Sequence, residues 1–211
     1  MDIFVSRPLP DAVCTAARAL GSVTVRTSTD PLSRAEMIAA LETYDVILPT
    51  LRDAFSADIF EGAKGIRCKM MANFGVGFNH IDIAAANSKG IVVSNTPGAV
   101  TDATADIGMS LILMAARRLS EGERMLRQGD WSGWHPTQML GLHVTGKTVG
   151  IIGMGRIGQA IARRCHFGFG MDVRYVNRSA KDLEFPAVKM DTLQALAAQC
   201  DVIVVALPAN E

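Results

Sequence analysis

The 211-residue sequence predicts an α/β protein made of two consecutive parallel-sheet units joined by a long helix. Three observations predict it. Short strand-like runs alternate with helical patterns, an arrangement that covers both faces of a parallel sheet. The alternation is interrupted by one extended helical pattern after Thr101 and resumes at Lys147. The resumed stretch opens on a strand, a glycine-rich turn and an amphipathic helix, "VGIIGMGRIGQAIARR".

In the first unit, residues 1–98, the strands are "DIFVS" (2–6), "SVTVRT" (22–27), "DVILPT" (45–50), "CKMMAN" (68–73) and "IVVSN" (91–95). Helical patterns opened by Pro and polar residues separate the first three. Ser33 and Glu36 have capping-box spacing, and Gly21 is expected to close the preceding helix. Five strands of this kind complete a small flavodoxin-like sheet. Thr101 is expected to cap a helix running to Gln128, with Asp102 and Asp106 in the first turns, where the helix dipole favours negative charge. "GDWSGWHPTQMLGLHVTGK" reads as an irregular loop. The second unit, residues 99–211, continues with "KTVGII", the helix "RIGQAIARRC", "DVRYVN", the helix "DTLQALAAQ" and "DVIVVA". That is the first half and fourth strand of a Rossmann domain.

Composition narrows the function. The chain is 49% hydrophobic, 20% charged and carries zero formal net charge, a core-forming balance that implies neither nucleic acid nor an anionic membrane as partner. Cys14, Cys68, Cys165 and Cys200 show no C-x-x-C pair and no metal-ligand spacing, so they read as buried thiols of a reducing compartment. "MDIFVSRPLP" lacks the build of a signal peptide, and "ADIGMSLILMAARRL" is too short and charged to span a bilayer. A soluble cytoplasmic protein is expected.

The glycines carry the chemistry. Gly153 is expected to allow the tight turn off the strand, Gly155 to let backbone approach a pyrophosphate, and Gly158 to bring helix against sheet. The helix N-terminus then offers free N–H groups to the phosphates. A plain strand–turn–helix, or an S-adenosylmethionine site, could share the pattern. About 20 residues on, the fingerprint calls for an acid that binds the ribose hydroxyls of NAD. Here stand Asn177, Arg178 and Ser179. No carboxylate repels a 2′-phosphate there and Arg178 could fork onto one, so NADP(H) is favoured, with NAD(H) possible.

Two stretches, "NFGVGFNHIDIAAANSKGIVVSNTPGAVTDATADIGMSLILMAARRL" and "RQGDWSGWHPTQMLGLHVTGKTVGIIGMGRIGQAIARR", resemble the D-isomer-specific 2-hydroxyacid dehydrogenases. "GVGFNHID", "GWHPT" and "NRS" bring the chain nearest to the glyoxylate and hydroxypyruvate reductases. The resemblance runs from about residue 45 to the end. It implies a flavodoxin-like substrate domain over 1–98, a Rossmann domain over 99–211 and an active site in the cleft between them. It further implies that Val76 and Gly77 offer amides to the substrate carboxylate, as a glycine-rich anion nest can. Thr104 would contact the cofactor. Gly155, Arg156, Ile157 and Gly158 would hold the pyrophosphate, Asn177, Arg178 and Ser179 the adenosine ribose. Leu207 and Pro208 would begin the segment beside the nicotinamide ribose.

The implied activity is NADPH-dependent reduction of a small 2-oxoacid, glyoxylate or hydroxypyruvate, by a homodimer; "GDWSGWHPT" and the helix before it are the candidate interface, with partial core burial of the two tryptophans as the alternative. The family's catalytic Arg, Glu and His are expected beyond Glu211, so the sequence reads as an incomplete form, inactive alone. Among its histidines, His80 is the one placed near a substrate, where it is expected at a helix start rather than as an acid. A non-catalytic dinucleotide-binding protein or an inactive fragment remains the alternative.

Overall fold

The computed structural model describes residues 1–208, which divide into a unit Met1–Ala99 and a unit starting at Val100. In the first, strands β1 (Asp2–Val5), β2 (Ser22–Val25), β3 (Val46–Leu48), β4 (Met70–Ala72) and β5 (Val92–Ser94) form one parallel sheet in the order β2-β1-β3-β4-β5. Helices α1 (Asp11–Arg18), α2 (Arg34–Thr43), α3 (Ala57–Gly62) and α4 (Ile83–Ser88) make the crossovers. The order reverses between β1 and β3, the switch point beyond whose strand ends open α/β sheets bind ligands.

Phe4, Leu41, Ile47, Phe55, Phe60, Met71 and Ile91 build the core of this unit. Each such side chain contributes roughly 1.5–3 kcal/mol when fully buried. The capping box forms as expected: Ser33 accepts from the Glu36 amide and the Glu36 carboxylate accepts from the Ser33 amide.

Gly21 does a different job from the one expected. Helix α1 stops at Arg18 with Ala19 still right-handed, so no left-handed glycine closes it. Gly21 is required by proximity, because a Cβ there would lie 2.1 Å from the Met1 carbonyl oxygen, which accepts from Ser22 N at 3.0 Å.

The second unit opens on α5 (Thr101–Arg117) and α6 (Leu119–Gln128). The expected continuous helix is therefore broken at Arg118, which adopts a left-handed conformation with φ 55°. Local sequence holds no Pro at the break, but the Ala116 carbonyl accepts from Leu142 N at 2.8 Å, and a Cβ on Gly141 would lie 2.3 Å from that oxygen. Loop backbone thus occupies the helix end. Arg118 is held by its guanidinium, which donates to Glu121 and to the Leu140 carbonyl. Thr101 is not the cap either: Val100 takes that position without a side-chain bond, and its carbonyl accepts from Thr104 N at 2.9 Å.

Strands β6 (Thr148–Ile152), β7 (Asp172–Val176), β8 (Ala187–Lys189) and β9 (Val202–Val205) form a parallel sheet in the order β8-β7-β6-β9. Helices α7 (Arg156–Phe169) and α8 (Leu193–Ala197) connect them. The sequence pattern did not reveal the short β8 or α3.

Val149, Ile151, Met154, Ile161, Cys165 and Tyr175 pack with Ala105, Met109 and Ile112 of α5. Arg164 of α7 pairs with Asp102 and Asp106, so those acids serve an inter-helix contact as well as the dipole. Among the described residues no helix is long and apolar enough to cross a membrane, and no His, Cys, Asp or Glu group could hold a metal.

Candidate functional site

The three glycines after β6 meet three different surroundings. Gly153 has φ +95°, and a Cβ there would lie 2.6 Å from the Ala206 carbonyl oxygen and 2.7 Å from Leu207 Cδ2. A Cβ on Gly158 would lie 2.1 Å from the Gly153 carbonyl oxygen, so α7 starts in backbone contact with the turn. A Cβ on Gly155 would meet nothing within 4 Å. Exposed glycines such as Gly65 and Gly168 share that open space; at Gly155 it coincides with the start of a helix and leaves room for a ligand to approach the backbone.

Gly155 is also the N-cap of α7, with no side-chain bond capping the helix. Its first amides and dipole are therefore available to an anion. Arg156 is exposed there, while Ile157 packs against the core.

The ends of β7 and β9 converge on this turn. Asn177 Oδ1 accepts from Met154 N at 3.3 Å, and its Nδ2 donates to the Ser179 carbonyl at 2.9 Å. Asn177 thereby ties the loop after β7 to the glycine turn. Arg178 and Ser179 are exposed, and Arg178 makes no ion pair with a described residue. Leu207 sits against Gly153, and Pro208 follows it, exposed. The structure thus brings Gly153, Gly155, Gly158, Asn177 and Leu207 to one strand-end edge, at the switch point between β6 and β9. Thr104 is exposed in the first turn of α5.

In the first unit the turn after β4 carries Val76 and Gly77, both exposed. Its carbonyls are drawn inward. Gly75 O accepts from Asn73 Nδ2 at 3.0 Å and from Thr96 N at 3.2 Å. Val76 O accepts from Asn95 Nδ2 at 2.8 Å, and Gly77 O from Asn73 Nδ2 at 2.9 Å. A trans peptide points its N–H opposite to its carbonyl. With no cis bond present, the amides of Val76, Gly77 and Phe78 are turned outward. Outward amides in succession are open to an external acceptor.

Asn73 and Asn95, which orient this turn, were missed by sequence reasoning. The available signal was an Asn directly after each of two adjacent strands. The neighbouring loop is joined on, since Pro49 O accepts from Phe74 N at 3.0 Å, and Leu51 Cδ2 lies 3.8 Å from where a Gly77 Cβ would be.

Beneath these loops lies Asp53, fully buried, which sequence reasoning also missed. It accepts from Ser6 Oγ (2.6 Å), Arg7 (2.5 Å), Leu32 N (3.1 Å) and Thr50 N (3.0 Å). Burial pushes its carboxyl up, but the bonds from Ser6, Thr50, Leu32 and Arg7 more than offset that and hold it below the ordinary value.

His80 is half-buried, with Nε2 3.1 Å from Asn73 Oδ1. Burial holds it below the usual histidine range, against a smaller opposing pull from Asp53. It precedes α4 instead of lying in it; Asp82 is the N-cap, accepting from Ala85 N at 2.9 Å.

His166 stacks on Phe185, and His135 and His143 line a surface pocket of about 280 Å³ with Trp134 and Met139. That pocket contains none of the predicted site residues. Arg163 pairs with Glu184 over the Phe167 ring.

Comparison with known proteins bears on these sites. Residues 109–211 match the family described as the D-isomer specific 2-hydroxyacid dehydrogenase NAD-binding domain. The chain is 36% identical over 213 residues to a glyoxylate reductase of Thermococcus kodakarensis, covering 98% of this chain and 63% of that one. It is 36% identical over 199 residues to a glycerate dehydrogenase of Hyphomicrobium methylovorum, covering 92% of this chain and 61% of the other. A crystal structure from Polaromonas sp. JS6 66, assigned to the D-isomer specific 2-hydroxyacid dehydrogenases, superposes with a TM-score of 0.91 at 37% identity. That match covers 99% of this chain and 66% of the other. The chain spans about 63% of the length of the curated relatives it matches.

Proposed function

This chain belongs to the D-isomer-specific 2-hydroxyacid dehydrogenases, and we propose that it supplies the cofactor site and the carboxylate cradle of an NADPH-dependent reductase of a small 2-oxoacid, glyoxylate or hydroxypyruvate. The observation that carries this reading is the glycine turn, where Gly153 and Gly158 are needed by the fold and Gly155 is not. A dinucleotide fits there: its pyrophosphate would lie over Gly155 and the first amides of α7, with Arg156 and Ile157 completing the loop. Arg178 and Ser179 would take the 2′-phosphate and ribose, Thr104, Leu207 and Pro208 the nicotinamide end. The bound cofactor supplies hydride.

The chain's own part is binding and orientation. Outward amides of Val76 and Gly77 hold the 2-oxoacid carboxylate, which fixes the carbonyl carbon for attack. Polarisation of the carbonyl and proton delivery form no part of the role proposed for these residues.

A cytoplasmic homodimer completes the proposal. Trp131 and Trp134, exposed by 53% and 78%, and Leu126 of α6, exposed by 64%, supply apolar surface suited to a second copy. The decisive experiment is an NADPH titration of the purified chain followed by fluorescence of Trp131 and Trp134. Saturable quenching is expected. Its absence in a folded, soluble chain would overturn the cofactor site.

A further inference from the structure

We infer that Asn73 and His80 are positioning residues that set the polarity of the Val76–Gly77 turn, with His80 acting as a fixed hydrogen-bond donor and not as an acid toward substrate. The inference rests on the carboxylate role proposed for that turn. Asn73 is 2% exposed, so its amide must find its partners inside the protein. Its Nδ2 lies 3.0 Å from Gly75 O and 2.9 Å from Gly77 O. Both partners are acceptors, and a flipped amide would set an oxygen against two carbonyl oxygens. The orientation is therefore fixed by chemistry.

Oδ1 must then face His80, and at 3.1 Å it accepts from Nε2. The imidazole carries its hydrogen on Nε2 as a consequence. In the neutral ring Nδ1 is then bare, and the single N–H is already committed to Asn73. Giving that proton to a substrate would break the bond that aligns the turn. His80 holds Asn73, Asn73 holds two carbonyls inward, and planar peptides turn the following amides outward.

The test uses the 211-residue chain, ¹⁵N-labelled, titrated with oxalate as a 2-oxoacid surrogate while the Val76 and Gly77 amide signals are followed. Saturable shifts at these amides are expected in the unsubstituted protein. Asn73→Ala and His80→Leu should weaken oxalate binding on the order of tenfold, the first by removing the donor that draws Gly75 O and Gly77 O inward, the second by leaving the buried Asn73 Oδ1 unpaired. NADPH binding should be unchanged in both. His80→Gln, whose Nε2 can replace that of histidine, should stay within about twofold.

If His80→Gln is as weak as His80→Leu, or if both bind oxalate like the unsubstituted protein, the positioning role is wrong. No shift at Val76 or Gly77 in the unsubstituted protein would instead remove the carboxylate cradle itself. Should Asn73→Ala fail to fold, the Leu and Gln variants at position 80 still decide the matter.

Discussion

The helix that follows the glycine turn begins where Gly158 meets Gly153: a Cβ on the former would lie 2.1 Å from the carbonyl oxygen of the latter. Gly155, between them in sequence, meets nothing within 4 Å. The same residue type thus answers to packing at one position and leaves the backbone open at another. Gly158→Ala should force backbone apart and destabilise the unit starting at Val100 by about 1–3 kcal/mol, seen as a lower melting temperature. Gly155→Ala should melt like the unsubstituted protein yet bind NADPH on the order of tenfold more weakly, since a methyl group would hold the pyrophosphate off the helix amides. Comparable melting losses in the two variants would remove the distinction.

Arg178 gives a sharper test of cofactor choice. It is exposed beside Asn177, whose side chain already serves Met154 N and the Ser179 carbonyl. Arg178→Ala should weaken NADPH by about 10- to 100-fold, the range for a lost charge-assisted bond, and leave NADH nearly unchanged. Equal losses for the two nucleotides, measured by fluorescence titration, would sink the 2′-phosphate assignment.

Acid should weaken the first unit in two separable windows. Burial keeps His80 below its ordinary value of 6.5 in the fold, so as pH falls through 6.5 the unfolded chain takes up a proton first. Stability is lost from there down to the folded value. Asp53 is also held below its ordinary 3.8, so its contribution, intact above that value, is lost only as pH falls through the lower folded one. Urea midpoints between pH 7 and 5 should therefore decline less in His80→Gln than in the unsubstituted protein. Asp53→Asn should cost about 3–5 kcal/mol already at pH 7, because it removes the charge that Arg7 faces, leaving its guanidinium the Thr29 carbonyl and an Nε that is buried without a partner among the described residues. Parallel pH profiles for the unsubstituted and His80→Gln proteins would refute the first window.

The parallel-sheet architecture was legible because strands such as "DVILPT" and "DVIVVA" announce themselves by unbroken apolar runs, even though Ile203 and Val205 of the second are exposed. The glycine turn was legible because its spacing sits between a strand and a helix. The Arg118 break was not, since "MAARRLSEGER" holds no Pro and its one Gly, Gly122, lies beyond the break; the interruption comes from Leu142 taking the Ala116 carbonyl. Asp53 was hidden for a related reason. Its partners Ser6, Arg7 and Leu32 lie 47, 46 and 21 residues away, a closeness that local pattern cannot express. Asn73 is different: its bonds are local, to Gly75 and Gly77, but an Asn after a strand could equally cap, turn or face water. The Val76–Gly77 role came from resemblance, and only the inward carbonyls supply a physical reason for it.

The last prediction concerns self-association. Helix α6 buries none of its residues, and Leu126, Trp131 and Trp134 leave apolar surface in water on the helix and the loop after it. An apolar surface of this kind is stabilised by a partner, and large aromatics at its centre tend to dominate such contacts. Trp134→Ala with Leu126→Glu should therefore convert a dimer to a monomer in light scattering at micromolar concentration. Neither substitution removes a buried side chain, so the melting temperature of the monomeric variant should fall only by the share that dimerisation contributes, and that share should grow with protein concentration. A double variant that remains dimeric, or an unsubstituted chain that is already monomeric at the same concentration, would place the interface elsewhere.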